Sequence, residues 1–309
     1  MPKRRCRVLQ KDVLSVASDC TGLNAAAMAL ESLNLPFQEE WVSDSDVAVR
    51  SVLQRNFAPK ALLRSVQEDV PNHLPVDFFS AGYPCQPYSV LGTGDGLESE
   101  DIGGKPYYKL QARVLNSKDH GVAQSRNRLY IVGVHDPVRD FRWPEPQAPV
   151  SLESALDPQD GSGPVWPHSK TEIRNLITCY KKLQDKRQPM RCDGIADIGM
   201  SSNWCQSSAP FSIGYAPCLT KSRCESNGYW SFSRQRKLHL SEYFRLQGIY
   251  PGRLQRPGDV TEAKMRAMVG NSFTVPVIAK IMDRLFYSAG LTSQPIAFDA
   301  STGDDGVWL

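Results

Sequence analysis

Val13-Leu14-Ser15-Val16-Ala17-Ser18-Asp19-Cys20-Thr21-Gly22 is the stretch on which the fold turns. It is an apolar run of strand length that ends in small and polar residues, with a glycine where a tight turn is made. Asn24 to Leu33 follows as a run of good helix formers, and Glu40-Trp41-Val42 starts a second strand ending at Asp44 and Asp46. Strand, helix and strand in that order open a βαβ unit. A second helix over Val47 to Arg55 and a strand over Val76 to Phe79 continue the alternation, so the expected class is α/β with a doubly wound, mostly parallel sheet. In such a sheet Gly22 occupies the first turn, and Asp44 ends the second strand where a carboxylate can take ribose hydroxyls. An ordinary turn glycine and a helix cap are the competing readings of these two residues.

At 309 residues, with 41% hydrophobic and 22% charged content, the chain is ordinary for a globular protein of one large domain or two. Its eight cysteines, at 6, 20, 85, 179, 192, 205, 218 and 224, include no CxxC pair. Neither a disulfide framework nor a standard zinc site is indicated, no metal is expected, and reduced thiols fit a cytosolic or nuclear protein. No apolar run approaches membrane-spanning length. Lys11 and Asp12 interrupt any signal-peptide core behind Lys3-Arg4-Arg5, a basic start that reads as a frayed terminus, a phosphate contact or a nuclear address. The net charge is only +3, but between Thr220 and Arg256 the cations Lys221, Arg223, Arg234, Arg236, Lys237, Arg245, Arg253 and Arg256 stand against Glu225 and Glu242 alone. With Tyr229, Trp230 and Phe232 interleaved, that excess predicts a phosphate-facing surface.

The strand Val76-Asp77-Phe78-Phe79 runs on towards Gly82-Tyr83-Pro84-Cys85-Gln86-Pro87-Tyr88-Ser89. The two prolines keep this segment out of a helix, so Cys85 is held on a stiff turn at the sheet edge, where substrate can reach it. A free cysteine is otherwise most often a small buried hydrophobe. Three further blocks follow. Gly121-Val122-Ala123-Gln124-Ser125-Arg126-Asn127-Arg128 leads into Leu129-Tyr130-Ile131-Val132-Gly133; Arg236-Lys237-Leu238 continues through Glu242 to Arg245-Leu246-Gln247-Gly248; and Gly270-Asn271-Ser272 precedes Val275-Pro276.

These four blocks, in this order, resemble the C5-cytosine DNA methyltransferase family, over roughly residues 13 to 286. The resemblance implies a Rossmann-like sheet of the class I methyltransferase type with a small irregular target-recognition domain, S-adenosylmethionine as cofactor and double-stranded DNA as partner. It makes Cys85 the nucleophile that adds to C6 of a flipped cytosine. Arg126 and Arg128 fix the base and its negative charge and lower the pKa of the thiol; strand-end surface arginines are the alternative. Pro84, Gln86, Ser89 and Gln124 fall on substrate-binding positions, and Ser18, Asp19, Thr21, Gly22, Asp44, Asn271 and Ser272 on cofactor-binding ones. Pro217-Cys218-Leu219-Thr220 is similar to a family Thr-Leu-Thr segment, with Cys218 in place of a threonine.

The chain also departs from the pattern. Ala17, Asp19 and Thr21 stand where the first family motif carries phenylalanine and further glycines, and no aspartate matches the third motif near Leu63 to Val66, although Asp77 follows. Cys85 and Arg126 are 41 positions apart, about half the usual family interval, and the chain contains no Glu-Asn-Val motif. The acid lost with that motif is worth on the order of 10² to 10⁴ in rate. Leu97 to Lys105 is too short for helix, strand and helix, so an interior strand is missing. Either the sequence joins across a lost segment, or the hairpin beginning near Tyr107 pairs directly with the Cys85 strand. Glu98 and Glu100 read as loop acids or as substitutes for the missing one, and Gly92, Gly94 and Gly96 as turn residues or as a loop closing over the base.

The expected organisation is a catalytic domain over 1–135, a target-recognition domain over 136–235, a return segment over 236–290 and an unstructured tail over 291–309. A helix over Thr274 to Tyr287 presents Val277, Ile278, Ile281, Met282 and Leu285 to the core. The function expected is DNA cytosine-5 methylation in the nucleus, or in the cytoplasm of a prokaryote. A DNA-binding homologue without activity and an RNA cytosine-5 methyltransferase are the rivals.

Overall fold

β1 (Leu14–Asp19) is the centre of the first sheet, with Leu14, Val16 and Ala17 buried and a parallel strand on each side. β2 (Phe37–Ser43) sets Phe37 opposite Leu14 and Val42 opposite Ser18, β3 (Ala61–Leu63) lies beyond β2, and β4 (Phe78–Ala81) sets Phe78 opposite Val16 and Ala81 opposite Asp19. The order is β3-β2-β1-β4, parallel throughout, as the alternation of strand and helix requires. The computed structural model describes residues 12–68, 75–82, 108–135, 137–159, 161, 163–201, 205 and 211–295.

The crossover helices start where capping residues stand. Asn24, in the left-handed region at φ 59°, accepts from the Ala27 N–H and starts α1 (Ala25–Ser32). Asp46 accepts from the Ala48 N–H and starts α2 (Val47–Asn56), so the cap is Asp46 and Asp44 is left for other work. These elements lie within two or three residues of the sequence expectation.

β5 (Tyr108–Asn116) and β6 (Asn127–His135) form a separate antiparallel ribbon with Tyr108 opposite His135 and Asn116 opposite Asn127. Its inner face, Tyr130, Val132 and Val134, packs on Val277 and Ile281 of α7 (Val275–Ser288), while Met282 and Phe286 of the same helix enter the core of the parallel sheet. Among the described strands the ribbon does not pair with β4, so direct pairing with the strand before Cys85, one of the two explanations of the short interval, is not seen there. Among the described residues the ribbon is held by the helix under it and by no ladder to the parallel sheet. Its outer face leaves Tyr108, Leu110, Val114, Leu129 and Ile131 exposed.

The segment expected to be the target-recognition domain contains α3 (Lys170–Asp185) and, with the residues just after it, an antiparallel sheet of β7 (Gly194–Asp197), β8 (Phe211–Ile213), β9 (Tyr229–Ser231) and β10 (Arg236–Lys237), in the order β10-β9-β7-β8. Leu176, Tyr180, Leu183, Trp230 and Phe232 share its core. The chain returns through α4 (Lys221–Glu225), α5 (Leu240–Leu246) and α6 (Glu262–Asn271). At Gly270 a Cβ would lie 2.6 Å from the Thr220 carbonyl oxygen, so only glycine permits this crossing. Among the described residues no helix is long and apolar enough to cross a membrane.

Candidate active site

The turn after β1 is held by its own hydroxyls. Ser18 Oγ and Thr21 Oγ1 lie 2.8 Å apart, and Thr21 Oγ1 donates to the carbonyls of Ser43 (3.0 Å) and Ser18 (3.1 Å). Ser43 Oγ donates to Asp19 Oδ1 at 2.7 Å, which ties the ends of β1 and β2. Gly22, at φ +57°, donates its N–H to Asp44 Oδ2 at 3.0 Å, and Asp44 Oδ1 accepts from Asp46 N–H at 3.0 Å. A carboxylate has about four acceptor positions, so two remain on Asp44 for a ligand. A Cβ at Gly22 would meet nothing within 4 Å, which leaves room above the turn. Burial first, then Asp44 and Asp19, raise the Cys20 thiol above its ordinary value. Asp77 is a staple between strands, accepting from the N–H and Oγ of Ser15 at 2.7 and 2.8 Å.

β4 leaves the sheet beside this turn. A Cβ at Gly82 would lie 3.0 Å from the Cys20 carbonyl oxygen and 3.2 Å from the Phe273 ring, so the exit of β4, the first turn and the α6–α7 junction meet here. Phe273, whose ring stands 6.3 Å from that of Tyr130, is the residue that sequence reading passed over; its place next to Asn271-Ser272 is the only signal of it. Pro84, Cys85, Gln86 and Ser89, with the glycines and glutamates that follow them, lie outside the described residues.

On the other side of Phe273 stand the residues that end the hairpin. Arg126 is 5% exposed and donates to the carbonyls of Leu219, Gly270 (3.2 Å) and Ser272 (2.9 Å), and to Cys218 Sγ at 3.7 Å. Burial, and then Arg128 beside it, hold its pKa below the ordinary value. Arg128 is half-buried and donates to the Asn127 carbonyl and, at 3.6 Å, to Cys218 Sγ. Gln124 is fully buried: its amide donates to the Leu246 carbonyl and Gln247 Oε1 and accepts from the Leu219 N–H. Gln247 in turn takes the Thr274 hydroxyl and donates to the Val269 carbonyl. Gln124 and Arg126 thus bolt residues 216–219 and 269–274 to the hairpin. Ser272 is buried and Asn271 exposed at the end of α6.

The basic surface expected between Thr220 and Arg256 is largely not a surface of free charge. Arg223 pairs with Asp197, Arg234 with Glu153, Arg236 with Glu242, Lys237 with Glu172, Arg245 with Asp157 and Arg253 with Glu31. Tyr229, Trp230 and Phe232 are buried in the cores and cannot stack on bases. Five of the six counter-charges come from outside the counted window, which is why the count misled. Asp157, His239 and Glu242 bring donor atoms within 4.8 Å of one another, but Arg236 holds both Glu242 oxygens and Arg245 holds Asp157, a donor set already neutralised by guanidinium groups.

The family model described as C-5 cytosine-specific DNA methylase matches residues 14–103 and 97–287, two overlapping stretches in place of one continuous run. The chain is 26% identical over 304 residues to the type II methyltransferase M.HaeII of Haemophilus aegyptius, covering 84% of this chain and 88% of that protein. It is 27% identical over 298 residues to M.NgoBI of Neisseria gonorrhoeae, covering 81% and 86%. Among solved structures it is similar to a DNMT2 variant of Spodoptera frugiperda, with a TM-score of 0.58 at 16% identity over 88% of this chain and 99% of that one. A putative DNA modification methyltransferase encoded in an Escherichia coli prophage superposes with a TM-score of 0.56 at 17% identity, over 90% and 99%.

Proposed function

The chain belongs to the C-5 cytosine-specific DNA methylase family, and from that membership we propose that it methylates C5 of cytosine in double-stranded DNA through a covalent adduct of Cys85. The observation that carries the reading is the meeting, at the exit of β4, of the Ser18–Gly22 turn, the Asn271–Phe273 junction and the Arg126–Arg128 strand end. The open space above Gly22 and the free acceptor positions of Asp44 fit a ribose, with Ser18, Asp19, Thr21, Asn271 and Ser272 around it. S-adenosylmethionine, when bound there, supplies an electrophilic methyl group.

The Cys85 thiolate adds to C6, the C5–C6 double bond breaks, and its electron pair makes C5 nucleophilic. Arg128 faces the negative charge that develops on the ring, and Arg126 holds the backbone that carries it. By the family resemblance Pro84, Gln86 and Ser89 are substrate-binding positions, and Gln124, fully buried, acts on the substrate only through the segments that it ties together. After methylation, loss of the C5 proton re-forms the double bond and breaks the S–C6 bond. A DNA substrate places the protein in a nucleus, or in the cytoplasm of a prokaryote.

One observation favours a second reading, a DNA-binding homologue without turnover: the chain has no Glu-Asn-Val, and the ribbon is not joined to β4 among the described strands. Trapping separates the two. Purified protein with S-adenosylmethionine and a duplex containing 5-fluorocytosine is expected to give a denaturation-resistant protein–DNA adduct that Cys85→Ala abolishes. DNA binding with no adduct in the unaltered protein establishes the second reading.

A further inference from the structure

Arg126 and Arg128 both aim a guanidinium N–H at the same sulfur, Cys218 Sγ, at 3.7 and 3.6 Å, within the range of hydrogen bonds to sulfur. Cys218 lies within the recognition segment in sequence, 90 residues from Arg128, and is brought here because residues 216–219 run along the hairpin end. The Ser125 N–H donates to the Ala216 carbonyl at 2.9 Å, and the Ala216 N–H to the Ala123 carbonyl at 2.7 Å. The two arginines depend on the thiol very differently. Arg126 has three carbonyl partners besides it and is fixed without it. Among the described residues Arg128 has, besides it, the carbonyl of its neighbour Asn127 alone.

Among the described residues neither guanidinium pairs with a carboxylate. A carboxylate at this place would hold Arg128 more tightly but would also neutralise it, whereas a thiol accepts an N–H and leaves the positive charge available to a substrate. We propose that Cys218 is a positioning residue of the reaction, which anchors and aims the otherwise flexible Arg128 guanidinium without neutralising it. The inference rests on the reading of Arg128 as the group that faces the cytosine, and it makes the recognition segment a supplier of part of the catalytic geometry.

Two substitutions separate aiming from mere filling of space. Cys218→Val fills the space with a somewhat larger apolar side chain and removes the acceptor; Cys218→Ser keeps an acceptor. In 15N-arginine-labelled protein the Arg128 guanidinium signals are expected to show restricted rotation, free rotation in Cys218→Val, and restriction again in Cys218→Ser. The rate of 5-fluorocytosine adduct formation is expected to fall by about tenfold or more in Cys218→Val, as displaced catalytic groups do, with DNA affinity within about twofold, and to recover in Cys218→Ser. Unchanged Arg128 signals in Cys218→Val, or equal changes in both variants, overturn the inference. If the unaltered protein forms no adduct, the proposed reaction fails, and the Arg128 signals still decide the positioning role by themselves.

Discussion

His120 and Lys280 are two bases buried side by side where the hairpin turn meets α7, and in sequence both look like ordinary polar residues. His120 is 2% exposed; burial first, then the charge of Lys280, lower its pKa from 6.5 to about 4, while burial lowers Lys280 to about 8. The sign follows from proton binding: between these values the unfolded chain binds a proton on His120 that the folded chain does not. The stabilisation is therefore complete above about pH 6.5 and is lost as the pH falls through about 4, a change of about 3 kcal/mol for a shift of this size. Urea unfolding of the unaltered protein and of His120→Gln across pH 4 to 7 is expected to show the steeper loss only with His120. Superimposable profiles would remove His120 as the cause. At this scale Gly22 and Asp44 were legible, because a turn and a strand end are local features. The burial of Gln124 and Arg126 was not, since their partners lie 92 to 146 residues away.

At the level of the element, the β5–β6 ribbon pairs with no other strand among the described residues. Alternation along β6 puts Tyr130, Val132 and Val134 against α7 and leaves Leu129 and Ile131 in the open, so an apolar strand buried on both faces in a larger sheet is here covered on one. Val132→Ala is expected to cost about 2 kcal/mol in chemical denaturation, whereas Ile131→Lys should change stability by less than about 0.5 kcal/mol. The same Ile131→Lys should lower binding of a hydrophobic dye. A large loss of stability in Ile131→Lys would mean that this outer face is covered in solution. The ribbon itself was readable from its two apolar runs, and its isolation from β4 was not. α3 was missed: Ile173, Leu176, Tyr180 and Leu183 recur at helical spacing, but the proline, serine and glycine on either side drew the reading towards irregular structure.

Across the whole molecule, ion pairs tie the return segment to distant parts of the chain in place of a free basic face. Arg245 binds Asp157 and the Ala155 carbonyl, and Arg253 reaches Glu31 on α1. Arg245→Gln is accordingly expected to lower stability by about 1–2 kcal/mol, since it takes the guanidinium from a half-buried carboxylate and leaves it, among the described residues, the side chains of His239 and Ser241 alone, and to leave the salt dependence of DNA binding unchanged. A shallower salt slope in Arg245→Gln would return this arginine to the phosphate-facing set. The sequence by itself determined the alternation of strand and helix, the caps and turns of the first βαβ unit, and the order of four blocks that names the family, because periodicity, capping and motif spacing are properties of neighbouring residues. Only the tertiary structure decided which charges are free. It alone made Arg126 a buried clamp, left Arg128 leaning on Cys218, and spent most of the cations of 220–256 on acids as far away as Glu31, because electrostatic partners are chosen by distance in space and a window of sequence contains only half of most pairs.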